Sequence, residues 1–444
     1  MSSLSDNTPG PDNGFYVLVT GANSGLGLGI GTRLIDEFLQ TRPQSESLVL
    51  IITTRDQRKG DAAIAKLERH LRQVISKHEA ALPGISQVLQ QRVFFRQERV
   101  DLLSLVSVQK LSKRLRETTP KLDAVIFNAG IGGWTGINWP LAVWKILTDW
   151  KNAVAWPTYK LSSVGWVAKS QLPAESQVEE PPLGEVFCAN VFGHYMLGHY
   201  LAPLLAKHPR SERTRGRMIW VSSLEAYQHV LDPADIQAIA SNMPYESTKR
   251  LTDVLAISST FPDTSPSVDS YLGHTQDSDK TSRPRLYTSH PGVCGTSIIA
   301  LPFLFEYAML ATFYVARWLG SHWHPITVEK GATAMVWLAL ASQSTLDNME
   351  QKEGVGKWGS ATDFWGKERV ERTEVFGWGW GGKLGEYKRK GRDPHAKDLC
   401  KESQESFREA GKRCWAEMEK LRTEWEDRLR TAGVGVDMDD GKAD

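Results

Sequence analysis

The chain has 444 residues, 41% of them hydrophobic and 24% charged, which is enough for a large core and for one to three domains. Its 53 Lys and Arg against 52 Asp and Glu leave a net charge of +1, which excludes the broad basic field expected of a nucleic-acid partner. Four cysteines, Cys188, Cys294, Cys400 and Cys414, show no metal-like spacing and read as free thiols in a reducing compartment.

Residues 1–13 are a polar lead-in without an apolar core, so no secretory signal is expected. Residues 15–20 (FYVLVT) read as a buried strand and 25–40 as a helix. A second strand follows at 48–55, helical spacing at 58–75, a third strand at 92–97, a helix at 104–116 and a fourth strand at 123–128. Strands apolar throughout, alternating with amphipathic helices, predict a parallel sheet covered on both faces. The rhythm breaks over 131–184, which holds Trp134, Trp139, Trp144, Trp150, Trp156 and Trp166 and reads as a long insertion. It resumes with an apolar helix at 185–205, a fifth strand at 217–223, a helix at 245–259 and a sixth strand at 285–290. Residues 261–284 are polar and read as a mobile surface loop. From 346 the chain turns polar, and 398–431 carries charges at helical spacing, the mark of an exposed final helix.

The densest signal is TGANSGLGLGIG at 20–31. A tight turn after a strand needs glycine, and the following helix N-terminus then offers backbone N–H groups to a phosphate. The spacing GxxxGxG, preceded by a strand and followed by a helix, points to nucleotide binding. Gly29 and Gly31 fall inside the helix and read as packing positions. The second strand ends in Thr53-Thr54-Arg55 with no acid there to hold a ribose hydroxyl. An Arg at that point suits a 2′-phosphate, so the cofactor expected is NADPH; the alternative is a solvated Arg at a strand end.

In order and spacing the motifs resemble the short-chain dehydrogenase/reductase family. They are TGANSGLG, Asp101-Leu102 after the third strand, Asn128-Ala129-Gly130 after the fourth, Asn190 in ANVFGHY, Ser222-Ser223 after the fifth, Tyr245-xxx-Lys249, and His290-Pro291-Gly292. The resemblance covers roughly residues 15–345. A finer resemblance is to the fungal 3-keto-steroid reductases of ergosterol synthesis, in GANSGLGLGI, the Trp-rich insertion, SSLEAY, YESTKRLTDVLA and ARWLGSHWHPI. The expected fold is therefore α/β, a Rossmann-type doubly wound parallel sheet over 14–345, with the insertion at 131–184 and a partly helical extension over 346–444.

The resemblance assigns Gly21, Asn23, Ser24, Gly25, Leu26 and Gly27 to the cofactor turn, with Thr54 and Arg55 beside it. Asp101 and Leu102 would contact adenine. Asn128, Ala129 and Gly130 would line the adenine-ribose side, and Pro291, Gly292 and Thr296 would flank the nicotinamide carboxamide. Tyr245 and Lys249 would hold the nicotinamide ribose end and carry the chemistry.

Carbonyl reduction needs a hydride donor and a proton donor on one C=O. A free tyrosine has a pKa of about 10, but Lys249, one helical turn from Tyr245 on the same face, is expected to lower it. An oxidised nicotinamide ring would add to that. Tyr245 could then protonate the alkoxide. Of the adjacent serines only one can face the site, and the resemblance favours Ser223. The gap from Ser223 to Tyr245 is longer than is usual in the family, and Glu225, Tyr227 or His229 could fill it. Asn190 is either a satisfied structural amide or, as the resemblance implies, part of a proton relay through water to Lys249. His194 and His199 do not share a helical face, and no metal site is expected.

The run 297–320 is nearly all apolar, but Glu306 and Pro302 interrupt it, which argues against a membrane span. It reads as an interfacial or substrate-covering segment, with a buried core helix as the alternative. The resemblance implies a sterol substrate, peripheral contact with the cytoplasmic face of the endoplasmic reticulum membrane, with lipid droplets as a second site, and a complex with the oxidase, decarboxylase and scaffold of sterol C-4 demethylation. Two other readings stand beside it: a reductase of another lipid or small ketone, and a non-catalytic NADPH-binding scaffold.

Overall fold

Runs of Val, Ile and Leu buried on both faces build the centre of the sheet. The computed structural model describes residues 11, 13–207, 215–273, 283–295, 303–385 and 389–438. In chain order its strands are β1 (Gly14–Thr20), β2 (Ser47–Thr54), β3 (Val93–Arg99), β4 (Ala124–Phe127), β5 (Trp134–Ile137), β6 (Lys160–Ser162), β7 (Arg217–Val221), β8 (Arg285–His290), β9 (Lys357–Thr362) and β10 (Glu368–Thr373). The main sheet runs β10-β9-β8-β7-β4-β1-β2-β3. Its pairs are parallel except β9 with β10. Strand order reverses between β1 and β4, and the crevice above their C-terminal ends is where such sheets bind ligands.

Helices Gly25–Thr41, Gln57–Ala81, Thr333–Leu340 and Gln343–Glu353 cover one face. Helices Leu105–Thr118, Gly193–Leu205, Pro244–Ser258 and Lys401–Thr431 cover the other. The apolar helix expected over 185–205 is not uniform: Cys188–Phe192 widens into a π-helical turn, a form often found at functional sites. The surface loop expected over 261–284 contains a helix, Ser265–Leu272, that buries Tyr271; residues 274–282 lie outside the described residues.

The segment from 346 onward is not set apart from the sheet. β9 lies parallel beside β8, with Ser289 opposite Trp358 and His290 opposite Gly359. The final helix, expected to be exposed, buries Phe407, Cys414, Trp415, Met418, Trp425 and Leu429. With Gly411 and the buried ion pair Glu419–Arg422 they form a stripe recurring every three to four residues, and most of the charges that dominate the segment occupy the other face. Gly411 allows close contact, because a Cβ there would lie 2.6 Å from Ser258 Cβ. Trp415 Nε1 donates to Leu255 O at 3.2 Å.

Replacing the fully buried Trp415 by Ala should cost about 3–5 kcal/mol. Denaturant unfolding of the whole chain measures it, and a loss near zero would mean that the final helix is not part of the core.

Candidate active site

The chain leaves β1 at Thr20 and turns through Gly21 and Gly25, both at positive φ (66° and 52°). A Cβ on Gly27 would come within 2.3 Å of Gly21 O, so only glycine lets the helix start approach the turn so closely. That helix has no side-chain cap at Ser24 and no acid in its first turn. Its N–H groups and the positive end of its dipole therefore meet the crevice without an internal counter-charge, as a dinucleotide pyrophosphate requires.

Thr20 organises the floor. Its hydroxyl accepts the Asn128 and Ala129 N–H groups at 2.9 and 3.0 Å, which leaves its hydrogen for His194 Nε2 at 2.8 Å. His194 Nδ1 then donates to Asn190 O at 3.2 Å. Burial drives the pKa of His194 down to about 3, so this ring is a neutral strut. Among the described residues no group of three metal-ligating side chains occurs.

Every cofactor residue expected from the sequence lines this one cleft, except Thr296, which lies outside the described residues. At the end of β2, Arg55 lines the cleft, while Asp56 is used up as the cap of the next helix, accepting from Lys59 N at 2.9 Å. The donor set, the glycine cradle and the uncapped helix start fit a nicotinamide dinucleotide.

Tyr245 and Lys249 both face the cleft from the first turns of Pro244–Ser258. Ser223 lines it too, and its hydroxyl lies beside the Tyr245 phenol and favours its ionised form. Ser222 is turned under the floor, where it donates to Lys249 O at 3.2 Å and accepts from Lys357 Nζ at 3.2 Å. Adjacent positions at the strand end thus point opposite ways.

The expected acidification of Tyr245 is not what the structure shows. Burial pushes its phenol pKa up, and the charge of Glu225 pushes it further, with the neighbouring Ser223 hydroxyl opposing. Lys249 Nζ stands 5.5 Å from the centre of the Tyr245 ring and donates to Val221 O at 2.7 Å. Its own pKa falls to about 8, through burial first and the Lys357 charge second. Desolvation outweighs the single ammonium, so in this state the phenol keeps its proton, which is the form an acid in a reduction must start from.

The Asn190 side chain is satisfied within the protein, as its structural-amide alternative expects. Its Oδ1 accepts Ile131 N at 2.8 Å, and its Nδ2 donates to Ile131 O at 3.0 Å and Thr248 Oγ1 at 3.2 Å. The amide is occupied in tying the start of the insertion to the Tyr245 helix.

Sequence reasoning missed Lys357. Its ammonium, fully buried, meets Asp253 Oδ2 at 2.6 Å and donates to Ser223 O at 2.5 Å. It also missed Lys160, from β6, whose Nζ lies 4.0 Å above the Trp134 ring and 5.2 Å above the Tyr245 ring. A lysine in a Trp-rich insertion carries no motif, and a lysine opening a late strand reads as a surface charge.

The cavity, about 860 Å³, continues past Tyr245 into an apolar lobe. Helix Trp139–Thr148 lends it Ala142 and Ile146, helix Trp150–Ala155 lends Val154, and helix Phe303–Trp318 lends Met309 and Phe313. The last two helices are joined by Trp150 Nε1 donating to Thr312 O at 3.2 Å.

A 3-keto-steroid reductase of Aspergillus fumigatus is 45% identical over 435 residues, covering 94% of this chain and 95% of that protein. The chain belongs to the 3-keto-steroid reductase family. The member from Gibberella zeae is 38% identical, with 96% of each chain covered. No protein-family model matches the sequence. Among solved structures, a short-chain type dehydrogenase/reductase from Mycobacterium ulcerans is a distant likeness: 17% identity, 76% of this chain and 86% of that one covered, TM-score 0.41. The glycine turn and the Tyr245–Lys249 pair of this family member therefore stand in one cleft with an apolar lobe.

Lys357→Met should destabilise the protein by about 3–5 kcal/mol, because it leaves the Asp253 carboxylate buried and uncompensated. The double variant Lys357→Met/Asp253→Leu should recover most of that loss in thermal unfolding. A single variant as stable as wild type would show that the pair does not hold the site together.

Proposed function

We propose that this chain reduces the 3-keto group of a C-4-demethylated sterol intermediate to the 3β-alcohol, using NADPH, within ergosterol synthesis. One observation carries the reading: a single cavity runs from a dinucleotide turn, past Tyr245, into an apolar lobe. When bound, NADPH supplies the hydride that adds to C3. Ser223 donates to the carbonyl oxygen and fixes its angle. Tyr245 gives its proton to that oxygen as negative charge develops there, and the apolar walls keep water from competing. Lys249, held by Val221 O, would anchor the nicotinamide ribose. NADPH is favoured over NADH because Arg55 faces the cleft while the nearest acid, Asp56, is already a helix cap.

The same reading includes a membrane surface. Helix Trp139–Thr148 turns Ala142 and Ile146 to the cavity, yet its outer side exposes Trp144 (66%) and Leu147 (75%). Tyr307, Trp318 and Leu319 are exposed on the second roof element, and Trp365 (85%) on the turn between β9 and β10. Among the described residues no helix is long and apolar enough to cross a membrane. Exposed aromatic side chains on helices that also line an apolar cavity suit the lipid–water boundary, where a sterol is dissolved. The cytoplasmic face of the endoplasmic reticulum, beside the oxidase and decarboxylase that would generate a 3-ketone, is the location proposed; lipid droplets offer the same kind of surface.

Purified protein should oxidise NADPH in the presence of a 3-keto sterol, and NADH much more slowly. Tyr245→Phe should lower kcat by about 10²–10⁴-fold while NADPH still binds. Unaltered turnover in that variant would remove Tyr245 as the acid. Sedimentation with phospholipid vesicles should fall several-fold in Trp144→Ser/Leu147→Ser with the fold intact; equal sedimentation would exclude this roof as the membrane contact.

A further inference from the structure

The insertion delivers a charge to the catalytic phenol. β6 carries Lys160, and its antiparallel partner β5 carries Trp134, whose ring packs edge-on to Tyr245 at 4.8 Å. The Lys160 side chain is only 6% exposed. Its Nζ lies 2.5 Å from Glu225 Oε1 and 3.0 Å from Glu246 Oε1. The contact is off the hydrogen-bonding axis, so Lys160 Nζ and Glu225 Oε1 are ion-paired without an aligned hydrogen bond. Glu225 lies on the loop after β7, its N–H held by Ser223 Oγ at 3.2 Å, and it lines the cavity with Lys160 and Tyr245.

We propose, building on the reductase reading above, that Glu225 and Lys160 are a positioning pair for Tyr245. The ammonium brought in by the insertion governs the charge of the carboxyl, and that charge governs how readily the phenol gives up its proton.

Two carboxyls, Glu225 and Glu246, share one ammonium. With Glu225 protonated the cluster is balanced. With Glu225 ionised it holds one excess negative charge beside a phenol whose oxygen becomes negative as it donates, and like charge disfavours that step. Burial raises the pKa of Glu225 to about 7, with Lys160 opposing and Glu246 adding to the rise. The other groups facing this cluster are Lys249 on the Tyr245 helix, Tyr159 before β6, Tyr227 after β7, Cys294 after β8, and Asp393 behind Tyr227. Burial pushes Tyr159 up to about 12 and Cys294 up to about 12, and raises Tyr227 beyond that range. These three stay protonated across the neutral range, whereas Lys249, lowered to about 8, titrates just above Glu225 and does so in all four proteins of the test below. Lowering the pH through neutrality therefore removes the excess charge, and raising it restores that charge.

The sign follows. The reduction rate should fall as pH rises through the Glu225 midpoint. Glu225→Gln should hold its rate through that window. Lys160→Met removes the cation that favours the carboxylate, so the fall should move up by about one pH unit or more. Lys160→Met/Glu225→Gln should lose the pH-dependent fall as Glu225→Gln does, but at a lower rate, because Glu246 is then left without its ammonium. The experiment is kcat against pH for these four proteins with saturating NADPH and a 3-keto steroid, alongside the infrared band of a protonated carboxyl in the protein without substrate. That band should titrate near neutrality in wild type, be absent in Glu225→Gln and persist to higher pH in Lys160→Met. Identical pH profiles in wild type and Glu225→Gln, or a midpoint unmoved in Lys160→Met, would overturn the proposal. Absence of turnover in wild type would instead sink the reductase reading, and the infrared band would still decide the pairing.

Discussion

The buried pair between Lys357 and Asp253 is the constraint on which the rest of the site depends. One ammonium joins three parts of the chain: β9, the Ser222–Ser223 loop, and the helix carrying Tyr245 and Lys249. Thr288 Oγ1 on β8 donates to the other Asp253 oxygen at 2.8 Å, so the carboxylate is fully engaged. Buried charges are costly unless their partners are well placed, and here the geometry fixes the catalytic serine against the helix that must face it. The pair also reaches the chemistry through its field. Lys357 is the second cause, after burial, of the lowered pKa of Lys249, which brings that amine near the pH at which it can exchange a proton.

The site divides into a part made by the sheet and a part laid over it. The sheet part, from the glycine turn to Lys249, is held by short backbone-directed bonds such as those of Thr20 and Lys249. The roof comes from the insertion and from Phe303–Trp318, which meet in a small cluster of Val154, Phe313, Ala316 and Ile326. Asn190 is the hinge between the two parts, because its amide clasps both hydrogen-bonding groups of Ile131 where the insertion leaves the sheet. The π-helical turn at Cys188–Phe192 places that amide.

What was legible in the sequence is what depends on local chemistry. A glycine turn after a strand, an Arg at the end of β2, and a Tyr and Lys one turn apart each state their own geometry, and the structure brings them into one cleft. What was not legible depends on partners distant in the chain. Lys357 lies more than a hundred residues from Asp253, and in a polar stretch nothing distinguishes a lysine that will be buried. The final helix hides its apolar stripe because charged residues outnumber it, and only contact with Leu255 and Tyr195 reveals which face counts. The shift of Tyr245 is hidden for a related reason: spacing reports the nearby ammonium but not the burial that opposes it.

The position of the helix Lys401–Thr431 has a consequence for biosynthesis. It follows every catalytic motif in chain order, yet it covers Tyr195, Tyr271 and Leu255 in the middle of one sheet face. Until it arrives, a nascent chain holding every catalytic motif still shows water a broad apolar surface, the kind that recruits chaperones or aggregates. A chain lacking this helix is thus expected to misfold rather than to act as a weakened catalyst.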